Sequence, residues 1–164
     1  MAISAAQALR HLAELLEIDR TVRTRRQPLT LVQKQRRAVI ARDLHQWALE
    51  RQRGNAPSGA EQRRDPRANV RLKVQLLGGP HTVDLHSDSL AVGGVSVSVK
   101  FTPRVGDLLG LRLVPLEDAP LEVMGEVVWF DPVRSRAGLR FQGLSEEGRA
   151  VLERIIFTDL VKPE

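Results

Sequence analysis

The sequence predicts an α+β protein that is mainly β, with two helices before an antiparallel sheet or barrel and one helix after it. Two observations carry this prediction. In the first third of the chain apolar residues recur at three- and four-residue steps, whereas after Arg67 they alternate with polar residues. About six short strand-like runs then follow with no helix between them, which is typical of an antiparallel β unit.

Capping motifs in the sequence indicate where the two N-terminal helices begin. Ser4 with Gln7, and Thr30 with Gln33, have the spacing of capping boxes. The first helix is predicted to end at about residue 19 and the second near residue 53. Two helices alone bury too little apolar surface to be stable, so their faces must pack on each other, on the following domain or on a second copy of the chain.

A turn-rich stretch separates the helices from the β unit. Residues 54–59 read Gly-Asn-Ala-Pro-Ser-Gly, which are turn-forming and small residues. We therefore predict a basic helical pair over 1–53, a linker over 54–62 and a β domain with a C-terminal helix over 63–164. The predicted strands are bounded by turn signals and cover residues 70–76, 82–85, 95–99, 108–114, 121–130 and 138–141, and the last helix covers 149–160 after a cap at Ser145.

Composition and charge restrict the function. The chain has no cysteine and no apolar run long enough to span a membrane, which favours a cytoplasmic protein without membrane insertion. No nucleophile elbow, P-loop or dinucleotide fingerprint occurs, so we do not expect an enzyme. Residues 1–64 hold 13 Lys and Arg against 6 Asp and Glu, a net charge of +7. This basic third is either a solvated helical surface or a contact for an acidic partner or nucleic acid.

Three arginines stand at the entrance to the first strand. Arg63, Arg64 and Arg67 lie within five residues, and Pro66 keeps Asp65 out of the helical region, so the segment is expected to be extended. A guanidinium offers paired donors that match phosphate oxygens and the O6/N7 edge of guanine. The cluster therefore suits a phosphorylated guanine nucleotide, although a solvated charge run remains the alternative.

A second element follows the next strand, at residues 87–94, and ends in Gly93-Gly94. Two glycines directly before an alternating strand indicate a tight turn or a close backbone approach. Nearby, Asp84, His86 and Asp88 alternate after His81, but without a further ligand this pattern indicates a hydrated strand surface, and no metal site is predicted.

In order and spacing these elements resemble the PilZ domain family of cyclic di-GMP receptors. The family's RxxxR motif is matched by Arg63 and Arg67, and its [D/N]xSxxG motif falls on residues 89–94. Later features also match: the runs 105–113, 125–130 and 138–141, and the closing helix. The resemblance covers about residues 61–160.

The resemblance implies a six-stranded barrel that binds cyclic di-GMP through Arg63, Arg64, Arg67, Ser89 and Gly94. The second motif is degenerate, because with Gly94 as its glycine the Asp/Asn position is Ser89 and the Ser position is Ala91. Alanine makes no side-chain hydrogen bond, and one lost bond weakens binding by about tenfold. Asp88 lies one residue early and would compensate only through a register shift. Because one residue along a strand usually reverses the side-chain direction, we expect Asp88 to point to the opposite face.

Three functions follow from these observations. The first is a regulatory protein that binds cyclic di-GMP and relays the signal to a regulatory or motility protein partner. The second is an adaptor with the PilZ fold that no longer binds nucleotide and acts through contacts with a motility, pilus or signalling protein. The third is nucleic-acid binding by the basic helices, which could also form a homodimer.

Overall fold

The computed structural model describes residues 3–55, 64–78 and 82–162. In this part of the chain three helices and six strands follow one another: α1 (Ala5–Arg25), α2 (Leu31–Asn55), β1 (Lys73–Leu77), β2 (Val83–Ala91), β3 (Gly94–Ser98), β4 (Leu108–Val114), β5 (Leu121–Asp131), β6 (Arg136–Gln142) and α3 (Glu146–Leu160). They form two compact units. The helical unit holds Met1–Pro66 and Glu153–Glu164, and the barrel unit holds Arg67–Leu152.

The six strands form a closed antiparallel barrel. Their order is β1-β2-β3-β6-β5-β4, and β1 closes the barrel by pairing with β4 from Lys73↔Val114 to Leu77↔Gly110. The predicted α+β class with a six-stranded antiparallel barrel is therefore confirmed. Of the two arrangements that alternation alone left open, the barrel is the observed one.

The barrel core comes from the alternation seen in the sequence. Because successive side chains of a strand point to opposite faces, every second apolar residue enters the interior. The buried residues include Val74, Leu85, Leu90, Val97, Leu111, Leu113, Val127 and Leu139. Their polar neighbours along each strand are left on the outer face, where the candidate site lies.

Strand β2 is longer than the sequence predicted. The predicted strand ended at Leu85, with a separate element at 87–94, whereas β2 continues to Ala91 and turns directly into β3. The polar run at residues 86–89 concealed this strand, because Ser87 is a buried polar residue where the alternation calls for an apolar one. Most of the second motif therefore lies in a strand.

The predicted capping boxes are present at the starts of both N-terminal helices. The Ser4 hydroxyl accepts from the Gln7 amide while the Gln7 side chain accepts from the Ser4 amide, and Thr30 and Gln33 do the same at α2. Helix α1 continues beyond the predicted end near residue 19, to Arg25, and stops where Arg26 adopts a left-handed φ of 50°.

The helical unit contains a buried network of four charged side chains. Arg37 donates two hydrogen bonds to Asp19, at 2.7 and 3.0 Å, and a third to Glu153 at 2.9 Å. Arg154 donates to Asp19 at 2.8 Å. Burial raises the pKa of the Asp19 carboxyl, but the bonds from Arg37 and Arg154 outweigh burial and hold that pKa below its ordinary value.

None of the helices in residues 3–55, 64–78 and 82–162 is long and apolar enough to cross a membrane.

Candidate functional site

The segment that leads into the barrel is held along β2. Ala68 and Leu90 exchange backbone hydrogen bonds of 2.8 and 2.9 Å, and both residues are fully buried. Ser87 adds further contacts: its hydroxyl donates to the carbonyl of Val70 and accepts from the amide of Leu72 at 2.7 Å. These contacts fix the chain immediately after Arg67 beside the strand that carries the second motif.

The structure places the predicted arginines differently. Arg63 lies outside the described residues. Arg64 is exposed and belongs to the helical unit, where its carbonyl oxygen accepts from His45 Nε2 at 2.9 Å. Arg67 is also exposed, and it belongs to the barrel unit. Because Ala68 pairs with Leu90 in antiparallel sense, Arg67 comes next to the Ala91 end of β2.

A β-bulge reshapes the second motif. Ser87 pairs with Val97 and Ser89 pairs with Ser96. Two steps along β2 therefore match one step along β3, and Asp88 is the extra residue. The expectation that Asp88 points away from the motif is wrong, because the bulge breaks the alternation on which it relied. Asp88 and Ser89 instead join the same group of polar side chains.

This motif cluster consists of Asp88, Ser89, Ser96, Ser98 and Arg136. The Ser89 and Ser96 hydroxyls are 2.8 Å apart, and Arg136 Nη2 donates to the Ser96 hydroxyl at 3.4 Å. Arg136 Nε donates to an Asp88 carboxylate oxygen at 2.9 Å, and the Ser98 hydroxyl donates to the same carboxylate at 3.2 Å. About a third of the Asp88 and Arg136 side chains is exposed, so both can reach a ligand.

Gly94 serves the site through close packing. A Cβ atom at this position would collide with the carbonyl oxygen of Leu139 on β6. Gly94 pairs with Ala91 on one side and with Arg140 on the other, so it sits between the motif strand and the strand that carries Arg136. Of the two reasons the sequence offered for the Gly93-Gly94 pair, close backbone approach is therefore the one that applies to Gly94.

An aromatic side chain lies in line with the cluster. Pairing across the sheet puts Ser89, Ser96, Gly138 and Trp129 in one row. The Trp129 indole covers Gly138, where an added Cβ would overlap its Nε1, and the residue is 39% exposed. A second bulge, between Val127 and Trp129, brings the tryptophan to the outer face. Trp129 thus lies on the outer surface of the barrel.

The arrangement offers several kinds of ligand contact on the outer face of the sheet. A carboxylate and serine hydroxyls accept or donate hydrogen bonds, guanidinium groups match phosphates, and an exposed indole offers a stacking surface. In the described part of the chain no group of three His, Cys, Asp or Glu residues is placed to hold a metal ion. The chemistry of these groups is compatible with a polar, partly aromatic ligand.

Sequence reasoning missed Arg136 and Ser96. Arg136 is distant from both motifs in the chain and reaches Asp88 only because β6 pairs with β3. A signal for Ser96 was present, since Ser96 and Ser98 alternate with the core valines of β3 and so had to face outward. Which side chain contacts Ser96 on that face depends on the order of the strands, and alternation along one strand does not predict that order.

The fold and the cluster define a small β-barrel domain with a polar site on its outer surface. The model of the PilZ domain family matches residues 61–158, and the chain belongs to that family. No curated protein matches the sequence.

Two solved structures share the fold. One is the inhibitor of motility MotI/DgrA of Bacillus subtilis, at 17% identity over 63% of this chain and 55% of that chain, with a TM-score of 0.52. The other is YcgR of Escherichia coli in complex with c-di-GMP, at 18% identity over 59% of this chain and 45% of that chain, with a TM-score of 0.51. The chain thus spans about half the length of each of these proteins.

Proposed function

We propose that this protein is a non-enzymatic cyclic di-GMP receptor that passes the signal to a partner protein. Its membership of the PilZ family supports the ligand, since the similar YcgR was solved with c-di-GMP bound. The similar MotI/DgrA is an inhibitor of motility, which supports a protein partner of that kind. We keep the division into a helical pair over 1–53, a linker over 54–62 and a receptor domain over 63–164 as part of this proposal.

The observation that carries the proposal is the bulge at Asp88. Without it, the second motif would offer only the Ser89 hydroxyl, because Ala91 makes no hydrogen bond through its side chain. With it, a carboxylate joins Ser89 in one cluster, 2.9 Å from the guanidinium of Arg136. A carboxylate can accept from the N–H groups on the edge of guanine, so the displaced acid supplies chemistry that the motif lacks at its usual position.

The remaining roles follow from the chemistry of cyclic di-GMP. Its two phosphates suit Arg67 and, in the same sequence motif, Arg63 and Arg64. Its guanine bases are flat and present π-faces, which suits the exposed indole of Trp129. Gly94 keeps β3 and β6 close, so that Ser96 of β3 contacts both Ser89 and Arg136.

Isothermal titration with cyclic di-GMP at low salt tests this function. We expect the wild-type chain to bind at or below tens of micromolar, and Arg67→Ala to bind at least about tenfold more weakly because a charged hydrogen-bond donor to phosphate is lost. Arg71→Ala is the matched control, since Arg71 is also exposed and lies four residues further along the same segment. Absent binding, or equal affinity of Arg67→Ala and wild type, would reject the proposal.

A second candidate is an adaptor that keeps the fold without reading nucleotide. Ala91 favours it, and so does the pairing of Asp88 with Arg136, which satisfies both groups within the protein. An adaptor should capture the same partners from cell extract as wild type when Arg63 and Arg67 are both replaced by alanine. A receptor should lose or change those partners in the same variant.

A further inference from the structure

The turn between α1 and α2 carries concentrated positive charge. From Arg20 to Arg42 the chain has eight Lys and Arg residues and no Asp or Glu. We call residues 23–34, which end α1 and begin α2, the hairpin tip. Nothing in the barrel site uses this charge, so it calls for a separate explanation.

Part of the charge is neutralised inside the helical unit, and part is not. Arg36 pairs with Glu14 at 2.7 Å, and Arg37 lies in the buried network with Asp19. Arg25, Arg26 and Lys34 are exposed and form no ion pair with any residue in the described part of the chain. The uncompensated cations are therefore Arg25, Arg26 and Lys34.

Exposed aliphatic side chains stand among these cations. Leu31 is 71% exposed and Val32 is 74% exposed. They occupy the first two positions of α2, where the capping box of Thr30 and Gln33 fixes the start of the helix. The first turn of a helix usually favours acidic residues, and this one has none. Two adjacent, solvent-exposed aliphatic side chains gain free energy when a partner covers them.

The combination identifies the kind of partner. Leu31 and Val32 offer no hydrogen bond to phosphates or bases, so the phosphate contacts that dominate nucleic-acid binding would make no use of them. A second copy of the tip would bring the same unpaired cations together, which repel each other. An anionic lipid bilayer satisfies both features, because its headgroups attract Lys and Arg while its interface accepts aliphatic side chains.

We propose that the hairpin tip docks on the surface of anionic membranes. Leu31 and Val32 enter the boundary between headgroups and acyl chains, and Arg25, Arg26 and Lys34 contact lipid phosphates. Long basic side chains suit this position, because their stems lie along apolar surface while their charges stay at the headgroups. The contact is peripheral and needs no membrane-spanning helix.

Sedimentation of the full chain with lipid vesicles tests the proposal. We expect binding to vesicles of phosphatidylcholine with about 30% phosphatidylglycerol, and little binding to pure phosphatidylcholine. Leu31→Gln/Val32→Gln and Arg25→Gln/Arg26→Gln should each weaken binding about tenfold, because each pair loses one of the two attractions.

Two matched variants control for general loss of apolar surface and of charge. Leu116→Gln/Val133→Gln removes two aliphatic residues that are 104% and 91% exposed on the barrel unit. Arg10→Gln/Arg149→Gln removes two exposed cations elsewhere. Both variants should bind vesicles like wild type, and circular dichroism checks that all four variants are folded.

Three results would overturn the proposal. One is equal binding to neutral and anionic vesicles. Another is a loss in the control variants as large as in the tip variants. The third is binding of a labelled DNA duplex at about 50 mM salt that resists Leu31→Gln/Val32→Gln, together with no vesicle binding, which would assign the tip to nucleic acid.

Discussion

At the scale of single residues, position 91 lacks a side-chain group that the proposed nucleotide site would use. Ala91 ends β2 next to Arg67 and pairs with Gly94, in the position where the family motif has a hydroxyl. The methyl side chain at this position can neither accept nor donate a hydrogen bond. The bulge at Asp88 restores a polar group to the motif but leaves this particular position apolar.

Restoring the hydroxyl should therefore strengthen the site. We expect Ala91→Ser to bind cyclic di-GMP about three- to tenfold more tightly, the effect of one added hydrogen bond. Titration against wild type measures the change. Ala119→Ser, an exposed loop position away from the cluster, should leave affinity unchanged. No gain in Ala91→Ser would mean that the ligand does not reach the end of β2.

Trp129 offers a second residue-scale prediction, because it packs directly on Gly138. Gly138→Ala should displace the indole and destabilise the fold by about 1–3 kcal/mol, the usual cost of overpacking. Thermal unfolding measures that cost. In the Trp129→Ala background the added methyl meets no ring, so the cost should fall close to zero. An equal cost in both backgrounds would show that the ring does not rest on Gly138.

At the scale of elements, the buried network ties three helical segments of one unit. Asp19 of α1, Arg37 of α2 and Glu153 and Arg154 of α3 contribute two negative and two positive charges. The set is balanced, and in residues 3–55, 64–78 and 82–162 no buried side-chain polar atom lacks a hydrogen-bond partner. A balanced buried set is costly to break, because removing one member strands its partners.

Asp19→Asn should accordingly destabilise the chain by about 3 kcal/mol, as measured by urea unfolding. The control is Glu14→Gln, which removes the partner of Arg36 from a pair whose side chains are 46% and 40% exposed. That exposed pair should contribute little to stability, because solvent screens the attraction between its charges. If the two variants lost equal stability, the network would not be the tie between these helices.

The same carboxylate predicts a pH dependence. The pKa of Asp19 lies below its ordinary value in the folded protein, so the unfolded chain binds its proton first as the pH falls. The stabilisation that the Asp19 carboxylate provides is fully present above its ordinary pKa of about 4. It is lost as the pH falls through the lower pKa that Asp19 has in the folded protein. Unfolding curves from pH 6 to 2.5 should show a smaller loss in Asp19→Asn than in wild type. Equal losses would exclude Asp19 as the source.

Element type was predictable from the sequence where pattern and caps agreed. The two capping boxes and the alternating strands follow from local rules and are present as predicted. The course of β2 was not predictable, because a bulge adds one residue without any glycine or proline to mark it. For the same reason, spacing in the sequence could not predict which face Asp88 occupies. The position of Arg136 beside Asp88 was not predictable either, because it depends on the pairing of β3 with β6.

At the scale of the whole molecule, α3 contributes residues to both compact units. Its first residues, through Leu152, belong with the barrel, and those from Glu153 onward belong with α1 and α2. The buried Glu153 and Arg154 find their partners, Arg37 and Asp19, in the helical unit. The last turns of α3 therefore depend on α1 and α2 for the partners of their buried charged side chains.

Removing residues 1–55 tests that dependence. Glu153 and Arg154 would lose their partners, so we expect amide hydrogen exchange over residues 153–160 to accelerate at least about tenfold. The barrel strands should keep their protection, because their pairing involves only residues of the barrel unit. Unchanged exchange in 153–160 would show that the last turns of α3 are stable without the helical pair.

The pairing of β1 with β4 has a consequence for assembly. Each of the six strands has a neighbour on both sides, so the barrel offers no open edge to which a partner could add a strand. Recognition by the barrel must then act through side chains and loops. Closure also removes the template on which exposed strands of different molecules join into aggregates, so outer-face substitutions at the site can be studied with little risk of edge-to-edge aggregation.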